Sequence, residues 1–367
     1  MSTKGVKENK EYLGIDLFRI IAVILVIMNH TYPLASINET TDFILTRIIA
    51  RIAVPFFFMV SGYFILPSII GKNKNYSVVL KSIKKLIKLY VIATIVYLPI
   101  YIYSGYISGQ KGLVDFFKDI LFNGTFYHLW YLPGAIVGIV VVSILLKKLK
   151  IFNVLLITIF LYIIGLFGDS YYGVTQNIPL INEFYKMLYN VFDYTRNGIF
   201  FAPLFLVLGA MISRQKIEPK KDIMMYGCIG TLLLMILEGL LLNNFGVQRH
   251  SSMYILLVPV MYFLFQWILL WNLEELMRFK NIKVNMSKWI SIRSIRDISM
   301  IVYIIHPLVI ILIRGFSKVF KLQNILVDNS IIHFVVVLIS SFVIAYSINY
   351  IMTQKRKYIM SENANLD

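Results

Sequence analysis

The stretch FRIIAVILVIMNH, residues 18–30, sets Arg19 and His30 at the two ends of an almost unbroken apolar run. Eleven residues of helix make close to three turns, so both side chains fall on nearly one face, about 16 Å apart along the axis. An imidazole that is uncharged near neutral pH can take a proton from a hydroxyl or an amine, or it can simply bind a ligand. Ionisable side chains at such depth usually face a bundle interior or a water-filled path. Arg19 has a plainer alternative: it snorkels to the headgroups, with Asp16 one turn earlier as its ion partner.

A second group sits at or near the ends of other apolar segments: His128, Asp169, Arg196, Glu238 and the pair Arg249-His250. Together with His30 they could converge on one vestibule able to hold a zwitterion, which needs a cation for its carboxylate and an anion for its ammonium. Glu238, inside LLLMILEGLLL, is costly unless paired, which makes it the expected ammonium partner, with Arg196 or Arg249 for the carboxylate. A structural ion pair between Glu238 and one of these arginines is the competing reading. Arg51 shares with Arg19 a place inside an apolar segment, and His306 precedes Pro307, where a backbone carbonyl loses its donor. Trp130 and Tyr131 begin a span, a position that favours interfacial aromatics in any case. FFF at 56–58 reads as packing or lipid-facing surface. The lone cysteine, Cys228, excludes an intramolecular disulfide and a cysteine-built metal site, and no metal-ligand cluster, Walker loop or dinucleotide fingerprint is present.

The elements that must position these residues are membrane helices. With 367 residues, 58% hydrophobic, and a mean hydropathy of +0.74, the chain reads as an all-α integral membrane protein. Ten apolar windows are long enough to consider: 14–32, 48–70, 86–103, 127–146, 151–168, 198–213, 223–242, 252–271, 298–316 and 331–351. The net charge of +17 does not indicate nucleic acid, because the basic residues fall in short tracts between apolar runs. They alternate. With the N-terminus inside, the cytoplasmic segments hold 25 of the 36 Lys and Arg, and nine lie in or beside the outer loops. This bias predicts ten spans with both termini cytoplasmic. The N-terminal run lacks a small-residue cleavage site and reads as a retained first span. The segment 169–197 is long enough to cap the outer face.

Asp16-x-x-Arg19 followed by His30 resembles the first-helix signature of the acyltransferase-3 family of bacterial membrane proteins, and VPFFFMVSGY (54–63), KKLIKLY (84–90), HLWYL (128–132) and YIIHP (303–307) match further motifs in order. The resemblance implies an acyltransferase-3-like bundle in the bacterial plasma membrane. It also implies acyl transfer, such as acetyl transfer, from cytoplasmic acyl-CoA to an externally reached hydroxyl or amine, with His30 as base supported by Arg19 and Asp16. One departure is Lys85-x-x-Lys88, where the family commonly shows two arginines to hold CoA phosphates; lysine binds phosphate as a point charge and lacks the bidentate fork.

Within that family, GTFYHLWYLPG (124–134), IGLFGDSYYG (164–173), DYTRNGIFFAPLFLVLG (193–209) and RHSSMYILLVP (249–259) resemble the membrane domain of VanT-type serine racemases of vancomycin-resistance clusters. That resemblance implies a domain over 1–353 that binds extracellular L-serine and delivers it inward, then a tail or linker at 354–367 toward a cytoplasmic racemase domain outside these residues. Pyridoxal phosphate belongs to that other domain and is not expected here, and racemase activity is not expected of this chain alone. A homodimer is a further implication, borrowed from the racemase domain.

Overall fold

The computed structural model describes residues 12–103, 113–271 and 292–364. Of the basic groups that set the expected topology, Lys4, Lys7, Lys10 and those from Arg278 to Lys288 lie outside the described residues, as does the end of the tail at 365–367.

The ten apolar windows become helices, with one further helix, α6, from the segment between the fifth and sixth windows: α1 (Leu13–Thr31), α2 (Glu39–Ile69), α3 (Tyr76–Tyr103), α4 (Tyr131–Lys148), α5 (Ile151–Phe167), α6 (Pro179–Tyr189), α7 (Ala202–Ile212), α8 (Lys221–Asn244), α9 (Leu257–Leu269), α10 (Ile292–Val319) and α11 (Ser330–Ala364). Seven of these are long and apolar enough to cross a membrane, namely α1, α2, α3, α4, α8, α10 and α11. Ten windows were expected to span; the other three form the shorter apolar helices α5, α7 and α9, of 17, 11 and 13 residues.

Layering follows the apolar pattern. α7, APLFLVLGAMI, is apolar all round and nearly every residue is buried, as a central helix should be. Its closest neighbour is the Ala53–Ile65 half of α2. Small residues set that approach: a Cβ on Gly62 would lie 2.0 Å from the Leu206 carbonyl oxygen, and one on Gly209 would lie 2.1 Å from that of Met59. The two backbones therefore touch at reciprocal glycine contacts. Phe56 and Phe58 are fully buried in this layer, so FFF is packing rather than lipid-facing surface. In α3, α8 and α11 only 22% of the apolar window is buried, against 50–56% in the other four long helices, which puts these three at the lipid-facing rim.

Two local features differ from a regular span. The second window starts earlier than expected, at Glu39, and winds as a π-helical turn over Ile44–Ile48 followed by a 3-10 turn over Ile49–Ile52. The last helix also runs past 353 without a break to Ala364, so the expected junction with a tail lies inside a continuous helix. Between α5 and α7, the short amphipathic helix α6 lies where a cap was expected. Its Tyr185 hydroxyl bonds the Ile164 carbonyl, and Tyr189 bonds that of Gly168.

Candidate functional site

At the His30 end of α1 a cavity of about 220 Å³ opens between α1, α2 and the turns that precede α4, α7 and α9. His30 lines it together with Asn29, Arg47, Arg51, His128 and Arg196, and aromatic side chains complete the wall. Among the described residues, no carboxylate lines it. Of the expected site residues, His30, Arg51, His128, Trp130 and Arg196 thus meet in one place. Asn29 and Arg47 join them without having been singled out. Their signals were present: Arg47 and Arg51 are four apart, one face of a helix, and Asn29 adjoins His30.

Irregular winding of α2 aims the first two arginines. The Arg47 carbonyl accepts from the Tyr254 hydroxyl at 3.0 Å and from Arg51 Nε at 3.4 Å. Arg47 Nη2 donates to the Tyr32 hydroxyl at 2.8 Å, with its guanidinium 5.1 Å from that ring's centroid. Tyr32 ends α1 at φ 50°, a left-handed conformation that costs a β-carbon-bearing residue about 1–2 kcal/mol and here turns its ring under the arginine. Arg196 lies over the rings of Tyr194 (4.3 Å) and Trp130 (5.4 Å) and donates to Ser252 Oγ at 3.2 Å. His128 and Trp130 sit in the turn before α4, which begins at Tyr131 rather than at 127.

None of these three guanidiniums is in an ion pair among the described residues. The carboxylate that acts most on Arg196 is Asp169, fully buried behind the wall. Its Oδ1 accepts from the backbone N–H of Ser252 (2.7 Å) and Met253 (3.0 Å) and from Ser170 Oγ (3.0 Å), while Oδ2 has no hydrogen-bond partner. Asp169 thus builds the loop that carries Ser252 and does not line the cavity. Burial raises its carboxyl above the usual range, opposed by the Ser252 N–H and then by the Arg196 charge; burial likewise lowers Arg196. His250, in the same loop with its ring 4.6 Å from that of Tyr194, is lowered to about 4 by burial and then by the arginines around it.

At the opposite end of α1, Asp16 is 1% exposed and meets two arginines. Arg19 Nε is 3.4 Å from Oδ1, the pairing raised as the plainer reading. The tighter partner is Arg296 of α10, unforeseen because it sat within a basic tract: Nε and Nη2 donate to Oδ1 and Oδ2, both at 2.8 Å. Tyr131 lies between the two ends rather than in the cavity lining, packed against Phe57, Phe58 and Tyr303.

Other expected residues lie elsewhere. The Glu238 carboxylate is satisfied structurally: it accepts from the Tyr171 hydroxyl at 2.7 Å and from the backbone N–H of Ile255 and Leu256 at 2.7 and 2.9 Å, capping the start of α9. It neither lines the cavity nor pairs with an arginine. Arg249 stacks 3.5 Å from the Tyr189 ring centroid and 5.4 Å from that of Tyr172, pinning α6 to the loop before α9. His306 stands behind the wall, its ring 5.3 Å from that of His30 and 5.4 Å from that of His128. Lys85 and Lys88 are exposed on α3 and do not line the His30 cavity.

The family profile described as an acyltransferase domain matches residues 12–350, nearly all of the chain. The chain belongs to the acyltransferase-3 family. Among curated relatives, it is 37% identical over 98% of its length to an amino-acid racemase of Enterococcus faecalis, covering 48% of that protein. A second amino-acid racemase of the same organism is 34% identical over 95% of this chain and 47% of its own length. A serine/alanine racemase of Enterococcus gallinarum is 34% identical over 89% and 44%. This acyltransferase-3 chain thus spans about half the length of the curated relatives it matches. No solved structure matches it. Among the described residues of this acyltransferase-3 chain, no group of three or more His, Cys, Asp or Glu could hold a metal ion.

Proposed function

We propose that this chain is the membrane module of a racemase-type protein, admitting a free amino acid such as L-serine into the His30 cavity. The observation that carries the reading is the composition of one wall: three guanidiniums free of ion pairs, an unpartnered acceptor and no carboxylate. Arg51 and Arg196 take the α-carboxylate, with Arg47 held beside them by Tyr32. The ammonium goes to Asn29 Oδ1, a buried acceptor without a partner, and to the faces of Tyr127 and Trp130. Asn29 replaces Glu238 in that role. The names of the relatives, amino-acid and serine/alanine racemase, support an amino acid as ligand. In this reading the chain crosses the bacterial plasma membrane ten times, α5, α7 and α9 completing the count within the bundle. Both termini are cytoplasmic, the His30 end opens outward, and serine passes to a racemase domain making D-serine, as in vancomycin resistance.

Acyl transfer is the second reading, favoured by family membership and by the placement of His30 in the cavity with the Asp16, Arg19 and Arg296 cluster at the far end of the same helix. His30 would take the acceptor's proton, with acyl-CoA arriving from the Asp16 end and Lys85 and Lys88 near its phosphates. One experiment separates the two: L-serine and acetyl-CoA are titrated separately into purified protein in detergent. Saturable serine binding that Arg196→Ala weakens at least tenfold supports the first. Acetyl-CoA binding without serine binding overturns it in favour of acyl transfer.

A further inference from the structure

His306 is fully buried, with its ring 5.3 Å from that of His30. The next residue, Pro307, has no N–H, so the Tyr303 carbonyl one turn earlier loses its helical donor. The His306 ring fills that gap: Nδ1 lies 2.9 Å from the Tyr303 carbonyl oxygen and 3.2 Å from that of Val302. A carbonyl oxygen only accepts, so Nδ1 carries the proton and Nε2 holds a lone pair. Nε2 is fully buried and has no hydrogen-bond partner.

A second group reaches the next rung of α10. Leu308 N–H donates to the Tyr97 hydroxyl at 3.2 Å, and that hydroxyl donates to the Ile304 carbonyl at 2.5 Å. A phenol from α3 thus bridges a donor and an acceptor one turn apart on α10, directly beside the proline. Tyr97 also stacks on Phe126 and meets the His128 ring edge-on at 4.9 Å. The same stretch of α10 is fastened from the cavity side too, since the Tyr303 hydroxyl donates to the His128 carbonyl.

We infer that Pro307 locks His306 as the Nδ1–H tautomer, with Tyr97 bracing the same turn, so that the unpartnered Nε2 lone pair is the acceptor His30 meets when its ring turns to donate an N–H, which leaves the other ring nitrogen of His30 as the acceptor facing the cavity. His306 is then a positioning residue: it touches no ligand but fixes which face of His30 a ligand meets. The two rings are neighbours, with centroids 5.3 Å apart and planes 30° apart, so a small turn of His30 suffices to bring a nitrogen to that acceptor. This rests on the reading of His30 as a ligand-facing group.

The test is 15N NMR of the histidine rings in the intact protein in detergent, where five histidines keep the spectrum tractable and His306→Gln identifies the His306 signals. The expected wild-type result is a protonated Nδ1 and a non-protonated Nε2 for His306, with His30 held in one tautomer. Pro307→Ala restores an N–H that competes for the Tyr303 carbonyl, and it should turn both rings into averaged tautomer mixtures. A wild-type His306 protonated at Nε2 overturns the lock, as does a Pro307→Ala protein with unchanged signals. Should that variant not fold, the wild-type spectrum alone decides the lock, and a His30 signal unmoved in His306→Gln refutes the coupling. Serine is absent from the sample, so failure of the amino-acid reading would appear in the binding titration and not here.

Discussion

Arg296 holds Asp16 through two parallel bonds of 2.8 Å, tying α10 to α1 across most of the sequence and leaving Arg19, on Asp16's own helix, as the looser partner at 3.4 Å. Because Asp16 is buried, its charge is tolerated only with both guanidiniums in place.

Arg296→Ala removes the tighter partner from a buried carboxylate, and the expected cost is about 3 kcal/mol. Asp16→Asn with Arg296→Ala should cost less than the sum of the two single changes, because no unpaired charge then remains. Thermal unfolding of the three variants in detergent reads this directly; strict additivity would mean that the pair is not coupled.

Glu238→Gln weakens the cap on α9 without touching the cavity. Thermal stability should fall by about 1–2 kcal/mol, with the affinity for serine unchanged. Serine binding abolished at unchanged stability would return Glu238 to the ligand.

His250 carries the clearest pH signature. Its folded value, about 4, lies below the ordinary 6.5, so between these the unfolded chain binds the proton and the folded chain does not. Its contribution is complete above pH 6.5 and is lost as pH falls toward 4. Asp169, raised by burial, acts in the opposite sense, favouring the folded state as pH falls through its raised value. In His250→Asn the drop in melting temperature from pH 7 to pH 5 should be smaller than in the parent; an equal drop would assign the acid sensitivity to another group.

Gly209→Ala places a methyl group against the Met59 carbonyl, where no side chain can yield. The expected result is a loss of folded protein in detergent, measured by size-exclusion yield, whereas Gly230→Ala, with open space around it, should be neutral. Equal yields would mean that the two helices can separate at little cost.

The sequence made the helical class legible because hydropathy alone forces it, and His30 with Arg51 and Arg196 was legible because charge inside or beside apolar segments needs a reason. Glu238 misled for that same cause: a carboxylate in an apolar run demands partners, but sequence does not say that those partners are backbone N–H groups of another helix. Arg47 was passed over because it falls just outside the apolar window that begins at 48, although its spacing of four from Arg51 marks the same helix face. Arg296 was hidden in a basic tract, and Tyr97 among many tyrosines, because contacts across 280 or 207 residues of chain leave no local mark.

The π-helical turn at Ile44–Ile48 amounts to one extra residue accommodated in a continuing helix, with Arg47 inside it and Arg51 in the turn that follows, away from the glycine contacts that fix the rest of α2. The rotational setting of Arg47 relative to His30 is therefore governed by chain length rather than by side-chain identity. Loss of a single codon there would swing one wall of the cavity by roughly 100° of helical turn while α7 still held the remainder of the span in place. Insertion and deletion, not substitution, is then the inexpensive route by which such a scaffold acquires a different ligand.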